Sequence, residues 1–247
     1  MGPVPSLPFP GKRISLCPRG TDIEKLMEYS RSIVSFLALV LFVAHPVSAS
    51  GPSVAEDSDS SSKTTILPPE NEFPFEKGAT ELQVVAGPFF HLAPTGNPRP
   101  RTNFIQSGLR YGWMLSSPGS QGLLRGNFEF LLEGFGAGIF EGPGNYLVGA
   151  DMMFRYNFVQ PGARLIPYLQ TVTGGLYNDV YKTETQALLD TPGEFYLGAD
   201  VGLRWMMRSN FGVTCEVGYR HISNANIGDV NLGLNSLGVT FGVSFFF

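Results

Sequence analysis

His221, Ser223 and Asn224 fall within the run His-Ile-Ser-Asn-Ala-Asn at 221–226. An imidazole beside a hydroxyl is the pairing from which a hydrolytic site is built. Two positions apart, the two groups share a face only where the chain is extended, because a strand sends successive side chains to opposite sides. The preceding residues have that pattern. Phe211, Val213, Cys215, Val217, Tyr219, His221 and Ser223 alternate with Gly212, Thr214, Glu216, Gly218 and Arg220. One face is apolar and ends in the polar pair, whereas the other is small or charged.

The elements that must hold this pair repeat the same alternation. Asn235, Leu237, Val239, Phe241, Val243, Phe245 and Phe247 oppose Ser236, Gly238, Thr240, Gly242 and Ser244. The spacing predicts strands over 81–90, 103–116, 125–139, 146–158, 165–178, 194–207, 211–224 and 234–247, enough for a closed sheet. Tight turns at 116–122, 160–163 and 208–210 alternate with connections that are mostly longer, at 91–102, 140–145, 179–193 and 225–233. Short turns at one end and longer loops at the other are how outer-membrane barrels are built.

Parity decides between a membrane barrel and a soluble one. The faces carrying Leu109, Trp113, Met152, Phe154, Phe195, Leu197, Leu203 and Trp205 are apolar. The opposite faces carry Arg110, Glu129, Asp151, Arg155, Asp200, Arg204, Glu216 and Arg220, with glycines between them. Regular glycine weakens a strand on a solvent face. A narrow barrel in lipid, however, needs small residues and paired charges inside and an apolar belt outside. The expected fold is all-β, an eight-stranded antiparallel transmembrane β-barrel over 81–247, with a soluble ligand-carrying barrel as the alternative. The net charge of −4 and the lack of any basic stripe argue against a nucleic-acid surface.

Ahead of the barrel, residues 31–49 have a basic start, an apolar stretch and small residues ending at Ala49, which reads as a secretory signal peptide. The run from Ile33 to Ala44 is short for a membrane anchor, which needs about 20 apolar residues. Residues 1–26 precede an ordinary start at Met27 and read as spurious or as a long leading region. Residues 50–80 are acidic, Ser-rich and Pro-rich, a flexible lead-in rather than core. With Cys17 in the leading segment, Cys215 remains the single cysteine after cleavage, and it reads as a small hydrophobe.

The aromatic end at Phe247 resembles the C-terminal signature of outer-membrane barrels. It places both termini in the periplasm and 221–235 at the outer rim. The His-x-Ser-Asn-Ala motif at His221, Ser223, Asn224 and Ala225, with Asn231 and Gly233 following, resembles the outer-membrane lipid A 3-O-deacylases, also called acyloxyacyl hydrolases. That resemblance implies a serine esterase that removes the ester-linked 3-position acyl chain of lipopolysaccharide lipid A. Ser223 would be the nucleophile and His221 its base.

The family carries an acidic residue, usually Glu, fourteen positions after the histidine, where this chain has Asn235. Asparagine can still orient an imidazole through its carbonyl, as in Cys-His-Asn proteases, but it cannot supply a full charge. Asn235 ranks ahead of the loop residue Asp229 as orienter, and a hairpin pairing 223 with 235 is expected to bring it to the site. By the same resemblance, the Asn231 side chain and the backbone following Asn224 would serve the oxyanion and position substrate.

Implied partners are lipid A, outer-membrane lipids and, during biogenesis, the barrel assembly machinery, with a homodimer left open. No cofactor and no metal site are expected. His91 reads as rim decoration. The rival function is a catalytically inactive structural or adhesive barrel.

Overall fold

The computed structural model describes residues 74–92, 101–119, 121–183, 186–228 and 232–247. The signal peptide, most of the 50–80 lead-in, Asp229 and Asn231 lie outside the described residues.

Eight strands form one closed antiparallel barrel in chain order: β1 (Thr80–His91), β2 (Asn103–Met114), β3 (Asn127–Glu141), β4 (Tyr146–Asn157), β5 (Leu165–Asn178), β6 (Gly193–Arg208), β7 (Phe211–Ser223) and β8 (Leu234–Phe246). Closure pairs β8 with β1 from Glu81↔Phe246 to His91↔Ser236, so no strand edge is left unpaired. The strands lie where the alternation predicts, except that β3 is displaced two residues toward the C-terminus from its expected 125–139. Gly119 and Gly126 bond each other's backbones, and a single 3-10 turn at Gly122–Leu124 fills the space between them. These local bonds hold Arg125 and Gly126 in the turn.

Side-chain direction follows the parity. The expected interior charges Arg110, Glu129, Asp151, Arg155, Asp200, Arg204, Glu216 and Arg220 are all buried, and Glu81 and Glu133 join them. Arg110 Nε donates to Glu133 (2.8 Å) and Nη1 to Glu216 (2.6 Å), while Arg204 Nη2 reaches Glu81 at 2.6 Å. Arg155 lies between Glu81 and Glu129, and Arg220 pairs with Asp200. Glu216 also accepts from the Tyr168 hydroxyl at 2.7 Å and from Thr240 at 3.0 Å. Ions removed from water repay their desolvation only when several partners surround them, a condition that Arg110, Arg155 and Glu216 meet, whereas neither carboxylate oxygen of the buried Asp151 has a hydrogen-bond partner among the described residues.

Apolar plugs close both ends of the charged layer. Phe89, Phe104, Phe135, Leu147, Leu188, Leu189 and Ile222 pack at the loop end. Phe75, Met114, Val159, Ile166, Met206 and Phe246 pack at the turn end. Phe75 departs from the expectation that 50–80 contributes nothing to a core. Its ring is 1% exposed, its carbonyl accepts from Asn127 Nδ2 at 2.8 Å, and it meets Phe246 edge-on at 5.7 Å. Neighbouring Pro and Glu residues conceal this aromatic from a compositional reading.

The outside is a greasy band. Leu109, Leu132, Met152, Phe154, Leu203 and Phe241 are all exposed. Aromatic contacts gather toward the turn end, including Trp113 with Phe130, Phe128 with Tyr156 and Phe211 with Phe245. Others lie toward the loop end, including Phe90 with Phe140 and Tyr146 with Tyr177. Two aromatic girdles flanking an apolar belt match a barrel that crosses a bilayer with its strands.

Candidate functional site

His221 sits near the end of β7 and Asn235 near the start of β8, and the ladder pairs them directly across from each other. Directly opposed residues on one face of an antiparallel pair have Cβ atoms about 5 Å apart, within easy reach of two short polar side chains. His221 Nδ1 and Asn235 Oδ1 are 2.8 Å apart. A carbonyl oxygen only accepts, so the contact requires the hydrogen on Nδ1, which in the neutral ring leaves the lone pair on Nε2. Asn235 therefore stands against the imidazole, although by a different register from the one expected. The expected 223–235 pairing is replaced by 221–235, which places the amide beside the imidazole itself.

Ser223 follows on the same face. Tyr219, His221 and Ser223 are half-buried, whereas the intervening Arg220, Ile222 and Asn224 are buried in the interior. Gly233, at φ +67°, stands over the pair. A Cβ at this position would stand 3.2 Å from His221 Cε1 and 3.7 Å from Ser223 Cβ. The ring edge that leads to Nε2 and the serine thus border one gap, and a glycine keeps it open.

Asn224 occupies the inward parity, 2% exposed, and its Oδ1 accepts the Asn226 N–H at 3.0 Å. It opens a turn closed by Ile227 N–H donating to the Asn224 carbonyl at 3.0 Å. Ala225 and Asn226 at its centre have φ +52° and +63°. Two left-handed central residues define a type I′ turn, which suits the twist of a hairpin. Asn224 thus shapes the chain leaving Ser223, with its side chain on the face opposite the hydroxyl. Asn231 and Asp229 lie outside the described residues, so neither is placed relative to the site.

Two contributors were not singled out from the sequence. The first is Tyr219, whose hydroxyl donates to Asn235 Oδ1 at 2.6 Å. The same alternation that selects His221 and Ser223 also includes Tyr219. The second is the β5–β6 loop. Its Ala187 and Leu188 carbonyls accept the Leu232 and Gly233 N–H groups at 3.4 and 3.1 Å. Gln186 fixes that loop by accepting from Leu188 N at 2.6 Å and donating to Leu189 O at 2.7 Å. The signal in the sequence is the apolar Leu188–Leu189 pair within a polar connection, and both leucines are buried.

The surroundings are apolar. Leu197 lies opposite His221 and Phe195 opposite Ser223 on β6, and both are exposed outward. The polar pair is therefore set into a lipid-facing wall at the loop end of the barrel. Cys215 is a free thiol on that outer face, and Glu216 points inward, away from the site. His91 ends β1 opposite Ser236, and its N–H donates to Asn103 Oδ1 at 2.8 Å. No group of His, Cys, Asp and Glu suited to a metal ion occurs among the described residues.

A family model described as lipid A 3-O-deacylase (PagL) matches residues 101–244. No curated protein sequence matches the chain significantly. Among solved structures, the chain is similar to the outer membrane enzyme PagL, with 18% identity, 66% of this chain and 97% of that chain covered, and a TM-score of 0.49. It is also similar to Neisserial surface protein A, with 17% identity, 68% and 99% coverage and a TM-score of 0.44. The N-terminal barrel domain of Pseudomonas aeruginosa OprF has 14% identity, 69% and 98% coverage and the same TM-score of 0.44.

Proposed function

Because the chain belongs to the lipid A 3-O-deacylase (PagL) family, whose model matches more than half of its length, we propose that it hydrolyses the ester-linked acyl chain at the 3-position of lipid A by a Ser-His mechanism. It is an outer-membrane barrel, and the site faces the leaflet in which such a substrate resides. The observation that carries the reading is the 2.8 Å contact between His221 Nδ1 and Asn235 Oδ1, with Ser223 next on the same outward face.

The chemistry follows from that contact. With Nδ1–H bonded to the amide oxygen, Nε2 can accept a proton from Ser223 Oγ as Oγ attacks the acyl carbonyl carbon. The tetrahedral oxyanion collapses and expels the sugar oxygen, which takes the proton back from Nε2. This leaves an acyl ester on Ser223. Water, deprotonated by Nε2, then attacks that ester and releases the fatty acid, restoring the hydroxyl.

Phe195 and Leu197 give the acyl chain apolar surface beside the serine, so the ester reaches the rim without leaving the leaflet. The Asn231 side chain and the backbone beyond Ser223 are the proposed donors to the oxyanion. The Asn224 side chain contributes by holding the turn that presents that backbone.

Asn235 itself favours a second reading, an inactive structural or adhesive barrel, since a neutral amide stabilises an imidazolium less than a carboxylate does. Mass spectrometry of lipid A from cells with and without the protein separates the two. The hydrolytic reading expects loss of one 3-linked acyl group with the native chain and none with Ser223→Ala. Unaltered lipid A with the native chain, correctly inserted, would favour the inactive barrel.

A further inference from the structure

We propose that Tyr219 is a positioning residue for the His221–Ser223 pair: its hydroxyl holds the Asn235 amide with the oxygen toward the imidazole and thereby sets the imidazole tautomer. The inference rests on the Ser-His reading above and concerns a feature particular to a chain with asparagine at this position.

The problem arises from the amide. Its two ends have nearly the same shape, but one accepts hydrogen bonds and the other donates them. With Oδ1 facing His221, Nδ1 carries the hydrogen and Nε2 is free to accept the serine proton. Rotated by half a turn, the amide would present N–H to Nδ1, the hydrogen would move to Nε2, and the ring could no longer act as a base toward Ser223. A carboxylate in the same place accepts from either oxygen and poses no such choice.

Tyr219 distinguishes the two orientations. Its hydroxyl is 2.6 Å from Asn235 Oδ1, the same oxygen that lies 2.8 Å from His221 Nδ1. Tyr219 is paired with Ala199 on β6 and Leu237 on β8, neither of which offers a side-chain acceptor. The reverse amide orientation would strand the phenol hydrogen on an apolar wall, where an unmade hydrogen bond is costly. The arrangement in which Tyr219 O–H and His221 Nδ1–H share one oxygen satisfies both donors.

The test is Tyr219→Phe, made in the native chain and again in Asn235→Asp, with both proteins folded into bilayers and assayed on lipopolysaccharide. In the native chain, removing the hydroxyl is expected to lower kcat by about tenfold with KM unchanged. In the Asn235→Asp chain the same change is expected to cost less than about twofold, because a carboxylate needs no orienting. Equal losses in the two backgrounds would mark Tyr219 as a packing residue and overturn the proposal, as would no loss in the native chain.

Nitrogen NMR of the His221 ring gives a readout independent of turnover. It expects the Nδ1–H form in the native chain and a mixture of tautomers in Tyr219→Phe; an unchanged tautomer overturns the proposal. Full activity of Ser223→Ala would instead overturn the Ser-His reading, so the two failures are distinguishable.

Discussion

Asn235 faces His221 across the β7–β8 ladder with 2.8 Å between Oδ1 and Nδ1, so a neutral amide stands where the family places an acid. The contact holds the ring but would add no full charge to the imidazolium that the proposed attack by Ser223 creates. Asn235→Asp keeps the length of the side chain and supplies that charge, so kcat is expected to rise by about tenfold. Asn235→Leu removes the acceptor and is expected to lower kcat by about a hundredfold. Steady-state fatty-acid release from lipopolysaccharide checks both, and an Asp variant no faster than the native chain contradicts the assignment of Asn235 as orienter.

Gly233 borders the gap between the imidazole and the serine. Gly233→Ala adds a methyl 3.2 Å from His221 Cε1 at a φ of +67°, which strains the backbone and crowds the ring. Activity is expected to drop by at least about tenfold while the barrel still assembles, as judged by its heat-dependent gel mobility. Native turnover in a correctly assembled Ala variant would show that the gap has no role.

Ala225 has φ +52° without the side-chain hydrogen bonds that let asparagine tolerate this region. Relieving the strain with Ala225→Gly is expected to stabilise the barrel by up to about 1 kcal/mol, net of the extra freedom of the unfolded glycine. Urea unfolding in lipid vesicles measures this through the midpoint. A loss of stability would mean that the alanine methyl makes contacts outweighing the strain.

Much of this architecture was legible because a membrane barrel enforces one rule at every position: odd and even residues of a strand face different media. The outward set ending in His221 and Ser223 and the inward arginines follow from that rule alone. The pairing of 221 with 235 does not, because registers that differ by two residues preserve parity, and alternation cannot tell 221–235 from 223–235. The observed register is accompanied by the type I′ turn after Ser223 and by the bonds that Leu232 N–H and Gly233 N–H donate to the Ala187 and Leu188 carbonyls, neither of which leaves a periodic signal. Tyr219 was visible on the correct face, but its role depends on that register. Phe75 was obscured by its polar neighbours.

Glu216 ties Arg110, Tyr168 and Thr240 together inside the barrel. Glu216→Ala leaves the Arg110 guanidinium without one of its two carboxylates, and breaking a buried pair typically costs about 3–5 kcal/mol. Vesicle unfolding is expected to report a loss of that size. A change below about 1 kcal/mol would mean that the remaining carboxylates compensate.

Asp179 joins the β3–β4 loop to the end of β5. Burial raises its carboxyl, but hydrogen bonds donated by Asn145 N, Asn145 Nδ2 and Tyr146 N outweigh that effect and hold it below the usual aspartate value. A lowered folded-state value means that the tie contributes fully above the unfolded-state value. It is lost as pH falls below that value and through the folded one. Hydrogen exchange at Asn145 and Tyr146 is expected to show weaker protection in strong acid than at about pH 7, once the intrinsic rate is corrected. In Asp179→Asn the protection should no longer depend on pH, and an equal acid response in that variant would assign the effect elsewhere.

The most direct test is the rate of fatty-acid release from purified lipopolysaccharide by the native chain, Ser223→Ala and His221→Ala, each assembled to the same extent. The native chain should turn over, and both variants should fall by at least about a thousandfold. Release by Ser223→Ala at the native rate would contradict the account at its centre.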